Sequence, residues 1–157
     1  MGRVDYYNDP AAPPANSVVP SVVAFVQNGA GDVLLIKRSD NGRWALPGGG
    51  HDAGEFIKDT VVREVWEETG IKVEVIELTG IYTDPGHVLQ YDDGEVRQQF
   101  SMCFRARMIG GDIRTSSETT QVRWVAPTDL SEYDIHPTMR LRIEHAMDRT
   151  RTVPYIG

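Results

Sequence analysis

Glu64, Glu67 and Glu68 put three carboxylates into the short stretch REVWEE. Separations of three and four residues place all three on one side of an α-helix. Like charges at that spacing cost an exposed helix about a few tenths of a kcal/mol per pair. The acids also fall in the last turn, at the negative end of the helix dipole, where anions are disfavoured. Helix stability therefore does not explain them, and a bound divalent cation does. Carboxylate oxygens are hard ligands suited to Mg²⁺ or Mn²⁺. Arg63 adjoins them, and its guanidinium fork can hold a carboxylate through two parallel hydrogen bonds. The run Gly48-Gly49-Gly50 lies just upstream. It allows close backbone approach and offers a carbonyl, that of Gly48, to a metal. A tight loop, an acid-bearing helix and an arginine that fixes the acids suit metal-assisted attack on a phosphate.

A helix must position these groups, and the sequence predicts one from about Ala53 to Thr69. Ile57, Val61 and Val65 recur every four residues as an apolar stripe that anchors the helix while the acids face a cleft. Asp52 and Glu55 have capping-box spacing, and Gly70 supplies a left-handed stop. Before the helix come a strand over Val18–Gln27, a turn at NGAGD and a second strand, VLLIKR, read together as a hairpin, followed by the short extended piece WAL. After it come a strand KVEVIELTGIY, a long loop or wide hairpin TDPGHVLQYDDGE, a long strand VRQQFSMCFRARM and a final strand QVRWVA. PTDL opens a short helix. HPTMRLRIEHAMDR forms the last helix, with Met139, Ile143 and Met147 on one side, and the tail TRTVPYIG lies on the surface. This order predicts a mixed sheet with helices packed on it, in an α/β (α+β) class. Residues 1–17, rich in Pro, Ala and Asn, read as a flexible N-terminal arm, and residues 18–157 as a single domain.

The bulk numbers limit the partners. The chain has 157 residues and a net charge of -7, and its pI is about 5.0. Such a balance argues against nucleic acid or an anionic membrane as the main partner. It leaves room for a phosphorylated small molecule, because a metal or a local cation cluster reverses the field within one cleft. No window is apolar for long enough to cross a bilayer, and the N-terminus has no apolar signal core, so the expected compartment is the cytoplasm. The one cysteine, Cys103, sits in a predicted strand and reads as a buried, inert thiol.

The stretch from Gly49 to Ile71 resembles the Nudix box. Gly49, Glu55, Arg63, Glu64, Val65, Glu67, Glu68, Gly70 and Ile71 fill its fixed positions. The flanks LLIKRSDNGRWALPGGG and SSETTQVRWVAPTDL are similar to the family's lead-in and closing strand. The resemblance implies an α/β/α sandwich around a mixed sheet. It implies hydrolysis of a nucleoside diphosphate linked to another group, with Mg²⁺ or Mn²⁺ as cofactor. By position, Glu64, Glu67 and Glu68 would be metal ligands together with the Gly48 carbonyl, and Glu55 and Arg63 would support the loop and helix. A further glutamate from a late loop often serves the family as ligand or base, and Glu118 in TSSETT holds that place. Glu67 or Glu118 would take the proton from the attacking water. Arg38 looks like the family position that touches substrate phosphate.

The substrate is less defined. Pro85 in YTDPGH is placed as in members that cleave ADP-ribose. Trp44, Tyr82, His87, Tyr91, Arg97 and Gln99 offer rings and donors for a base or sugar, with His87 expected on a loop surface. ADP-ribose or a nucleotide sugar ranks ahead of normal or oxidised nucleoside triphosphates. A non-catalytic nucleotide-sensing module is an alternative, but the box is intact. An isomerase acting on an isoprenoid diphosphate would alter the box and place a cysteine upstream of it. Oligomeric state is open. A homodimer in which the proline-rich arm crosses to the second subunit is one expectation.

Overall fold

The computed structural model describes residues 2–157, leaving Met1 outside the described residues. Its strands are β1 (Arg3–Tyr7), β2 (Ser17–Gln27), β3 (Val33–Arg38), β4 (Trp44–Ala45), β5 (Gly48–Gly50), β6 (Ile71–Tyr82), β7 (His87–Tyr91), β8 (Val96–Gly111), β9 (Thr119–Val125) and β10 (Tyr155–Ile156). The helices are α1 (Ile57–Thr69) and α2 (Pro137–Met147), and a 3₁₀ turn spans Pro127–Glu132.

β2 is the hinge of the architecture. It runs parallel to β8 along its whole length, from Ser17 opposite Arg97 to Gln27 opposite Arg107. Its other edge pairs with β5, placing Val22 opposite Gly49 and Val23 opposite Gly48. The hairpin expected between β2 and β3 narrows to one registered pair, Gln27 and Val33, because β5 occupies that edge further back. β8 changes partner along its length, meeting β7 through Val96–Gln98 and β6 through Ser101–Gly111.

The apolar run VVAFV in β2 is buried on both faces, as expected of a strand covered on two sides. Val22, Ala24 and Val26 pack with Val61 and Val65 of α1. Val23 and Phe25 pack on the opposite face with Ile143 and Ala146 of α2. One helix on each face of a mixed sheet is the expected α/β/α sandwich. Val61 and Val65 are fully enclosed, and burying each contributes roughly 1.5–3 kcal/mol.

Several expectations need correction. α1 starts at Ile57, not Ala53, and its cap residue Phe56 makes no side-chain cap bond. Residues 52–55 form a turn instead, because Arg63 draws the Glu55 carboxylate toward itself. Gly70 does close the helix, with φ 75° and its N–H bonded to the Trp66 carbonyl. Of the two readings of residues 83–95, a long loop or a wide hairpin, the structure has the hairpin: β7 turns back to pair with the start of β8. Part of the segment read as a flexible arm is β1, which pairs with β7 from Arg3 opposite Tyr91 to Tyr7 opposite His87. In α2 the inward residues are Thr138, Arg142, Ile143 and Ala146, while Met147 is 39% exposed. Of the apolar side expected at Met139, Ile143 and Met147, the first two face the core and only Met147 turns out, while Arg142 takes an interior position. Its guanidinium lies 4.7 Å from the Tyr82 ring and donates to the Thr138 carbonyl. The tail does more than lie on the surface, since β10 joins β6 in parallel. Cys103 is buried, and burial pushes its thiol pKa up to about 11. Among the described residues no helix is long and apolar enough to cross a membrane.

Candidate functional site

The glycine loop and α1 form one unit. β5 is the glycine run itself, held flat against β2. A Cβ at Gly48 would collide with the Val22 carbonyl, and one at Gly49 would lie 2.5 Å from the Glu64 carboxylate. Only glycine lets the strand pass between β2 and the acids. In exchange, the Gly48 N–H donates to Glu68 Oε1 at 2.7 Å.

Arg63 organises the other side. It donates to Glu55 Oε2 at 2.7 Å and Oε1 at 2.9 Å, to Glu64 Oε1 at 2.9 Å, to Glu67 Oε2 at 3.2 Å and to the Gly50 carbonyl at 3.0 Å. Hydrogen bonds from Arg63 hold the Glu55 carboxyl down at about 2. The roles expected for Glu55 and Arg63 thus have a geometric basis: they tie loop to helix.

Glu68 is buried, and its pKa is pushed up to about 8, mainly by burial, against the pull of the Gly48 N–H, with Glu64 and Glu118 adding repulsion. Glu64 is raised as well, chiefly by burial, with Arg63 pulling against it and Glu67 and Glu118 adding repulsion. Four carboxylates therefore feel one another here with only two arginines, Arg63 and Arg38, set against them. Such a set is short of positive charge, and its hard oxygen donors fit a divalent cation of the Mg²⁺ or Mn²⁺ kind. Glu64, Glu67, Glu68 and the Gly48 carbonyl are the groups that would hold it.

A cleft of about 550 Å³ opens beside this unit. Gly48, Glu68, Glu118 and Arg38 line it. Glu64 stands behind Gly49, and Glu67 is exposed; neither lines the cleft. Glu118 is fixed through its backbone, whose carbonyl accepts from Ser39 and whose N–H donates to Ser116 Oγ. Arg38 is clamped by Asp40 through two bonds of 2.9 and 2.7 Å. Arg97 also lines the cleft, paired with Glu95 and set over the Tyr91 ring at 4.7 Å. Trp44 lines it from the core side, 8% exposed, with its ring edge-on to Tyr133.

His87 contradicts its expected place on a loop surface. It is 6% exposed and within 2.8 Å of Asp5 on β1. Asp5, Arg3 and His136 all line the cleft and were absent from the sequence reading. No local spacing marks them, because they come from strand β1 and from the cap of α2.

A glycine strand, an acid-bearing helix and a sandwich fold define a hydrolase of phosphoanhydrides. The chain belongs to the Nudix hydrolase family: the NUDIX domain model matches residues 18–146. A MutT-like protein of Streptomyces ambofaciens is 45% identical over 121 residues, covering 77% of this chain and 71% of that one. The nucleoside triphosphatase NudI of Escherichia fergusonii is 32% identical over 76% of this chain and 89% of its own. An ADP-ribose pyrophosphatase of Methanocaldococcus jannaschii is 31% identical over 72% of this chain and 60% of its own. A solved MutT structure from Methanosarcina mazei Go1 superposes with a TM-score of 0.67 at 28% identity, covering 88% of this chain and 98% of that one.

Proposed function

We propose that this Nudix hydrolase cleaves the pyrophosphate linkage of a nucleoside diphosphate joined to a second group, such as ADP-ribose or a nucleotide sugar, with Mg²⁺ or Mn²⁺. One observation carries the reading: Glu68 and Glu118 of the acid cluster share a single cleft with two anchored arginines, Arg38 and Arg97, and with the Tyr91 ring. The cleft volume is in the range that encloses a ligand of two linked moieties. The cation, when bound, supplies charge neutralisation at phosphate oxygens and acidifies water. The chain's own residues do the rest. Arg38 and Arg97 draw the diphosphate into line, and Tyr91, which already carries a guanidinium over its face, flanks a base or sugar. Glu118 accepts the proton of the attacking water; it lines the cleft, whereas Glu67 is engaged by Arg63. Likeness to the M. jannaschii ADP-ribose pyrophosphatase supports the substrate class. A nucleoside triphosphate is the second reading, favoured by likeness to the E. fergusonii nucleoside triphosphatase.

The test is a cation-dependent hydrolysis panel of ADP-ribose, nucleotide sugars, dinucleoside polyphosphates, and normal and oxidised deoxynucleoside triphosphates, with Glu67→Gln beside wild type. The expected result is highest kcat/KM on a diphosphate-linked compound and loss of turnover in the variant. Triphosphates cleaved with much higher kcat/KM would replace the first reading by the second.

A further inference from the structure

We propose that Asp5, His87 and His136 form a second cation site, separate from the glutamate helix, that takes a divalent transition metal of the imidazole-binding class, Zn²⁺ foremost. The three residues come from β1, β7 and the cap of α2, and their ligand atoms all lie within 4.8 Å of one another. Two imidazoles and one carboxylate form a donor set that suits Zn²⁺, Co²⁺ or Ni²⁺ better than the all-oxygen preference of Mg²⁺. The spacing is close to what a metal requires. Zinc bonds of 2.0–2.2 Å in a tetrahedral array put neighbouring donor atoms about 3.3 Å apart. Here His87 Nε2 is 2.8 Å from Asp5 Oδ1, and His136 Nε2 is 4.0 Å from the same oxygen. Binding one ion requires the two near-parallel rings to tilt so that both Nε2 lone pairs converge beside Asp5 Oδ1.

Their neighbours hold the rings close together. His87 and His136 stack with centroids 5.0 Å apart and planes 9° from parallel, and Tyr7 sets its ring edge-on to both. His136 Nδ1 lies 2.8 Å from Thr138 Oγ1, which leaves Nε2 as the nitrogen turned toward Asp5. Metal ligation through Nε2 places the ring proton on Nδ1, where Thr138 Oγ1 accepts it, a supporting bond of the kind metal-bound histidines make. The cost is one cap bond, the 3.2 Å contact from the Thr138 N–H to Nδ1. All three ligands line the cleft, so the remaining coordination positions face its interior, where an anionic oxygen of a ligand would complete the set.

The experiment uses the full chain after chelator treatment, with excess Mg²⁺ present to saturate the glutamates. Co²⁺ is followed by its visible absorption and Zn²⁺ by calorimetry. Wild type is expected to bind one Mg²⁺-resistant equivalent and to gain thermal stability from Zn²⁺. Glu67→Gln/Glu68→Gln is expected to keep both responses. Asp5→Asn and His136→Ala are expected to lose them while retaining the wild-type circular dichroism spectrum; these two variants decide the matter if buried His87→Ala does not fold. Absence of a Mg²⁺-resistant equivalent in wild type overturns the proposal. So does a response that survives in Asp5→Asn and His136→Ala, because an ordinary hydrogen-bonded His–Asp cluster then accounts for the geometry. Neither result bears on hydrolysis at the glutamate helix.

Discussion

Two parts of one cleft are built in opposite ways. The wall at Gly48, Glu68 and Glu118 carries excess negative charge, and burial, with repulsion from Glu64 and Glu118, pushes the Glu68 carboxyl upward. The wall at Asp5, His87 and His136 pairs its single carboxylate with two imidazoles; burial pushes that carboxyl up, but the hydrogen bond with His87 and the nearby charges of His87, His136 and Arg3 outweigh it and leave the group below its ordinary value. The first wall comes mostly from one loop and one helix. The second is assembled from residues 82 and 49 positions apart in the chain, brought together by the pairing of β1 with β7 and by the seating of α2. The contrast teaches that one cleft can hold two kinds of cation chemistry: the wall of crowded carboxylates is the one proposed for bond cleavage, and the wall that pairs its carboxylate with imidazoles the one proposed for a softer metal.

Disabling the wall of crowded carboxylates should give the largest effect. Glu67→Gln and Glu68→Gln are each expected to lower kcat/KM by at least roughly 10²-fold, and Glu118→Gln by roughly 10²–10⁴-fold in kcat if it takes the proton. Steady-state kinetics on the preferred substrate checks both. An undiminished kcat in Glu118→Gln would move the base to another group. On the recognition side, Arg97→Ala is expected to raise KM by about tenfold, equivalent to about 1.4 kcal/mol, with kcat nearly unchanged. A fall in kcat without a change in KM would place Arg97 on the catalytic side and blur the division.

Deleting residues 1–16 removes β1 and with it Asp5. The expected outcome is a weaker KM with turnover retained, measured beside the particle mass by light scattering. A mass reduced to half would show that the arm also joins two subunits, as the homodimer expectation holds.

The sequence was read well where chemistry and spacing are local. The run from Gly48 to Gly70 contains its own logic: the glycines that let β5 pass, the three acids on one helix face, the arginine that ties them and the glycine that stops α1. The order of strands and helices pointed to a mixed sheet with helices on it, while the sandwich itself was what the family resemblance implied; the run VVAFV, covered on both faces, is where the fold shows it. What was missed depends on partners far along the chain. HVLQY is a strand held on one edge by the start of β8 and on the other by RVDYY, whose partner lies far along the chain. His87 was expected at the surface for the same reason. Arg142 was overlooked as an interior residue because an arginine has no apolar signal. Its burial depends on the Tyr82 ring and the Thr138 carbonyl, which meet it only in the folded chain.

The finest division lies among the crowded carboxylates, between Glu55 and Glu68, and pH separates them. Arg63 holds the Glu55 carboxyl at about 2, below its ordinary 4.5. A group depressed on folding contributes stability that is present above pH 4.5 and is lost as pH falls toward about 2. Glu68 goes the other way, from 4.5 to about 8. In its case stability declines as pH rises from 4.5 to about 8, because the unfolded chain ionises there while the folded chain retains the proton. Glu55→Gln should therefore lower the melting temperature at neutral pH, with the deficit closing toward pH 2. Glu68→Gln should raise it in chelator-treated protein, by the equivalent of a few kcal/mol at most near pH 8, with the gain vanishing by pH 4.5. Added Mg²⁺ should reverse the second difference, since the cation stabilises only the wild-type carboxylate. Thermal melts across pH 2–9, with and without Mg²⁺, measure all of this. Parallel curves for the two variants would mean that one shared environment, and not two opposed ones, governs the loop and helix.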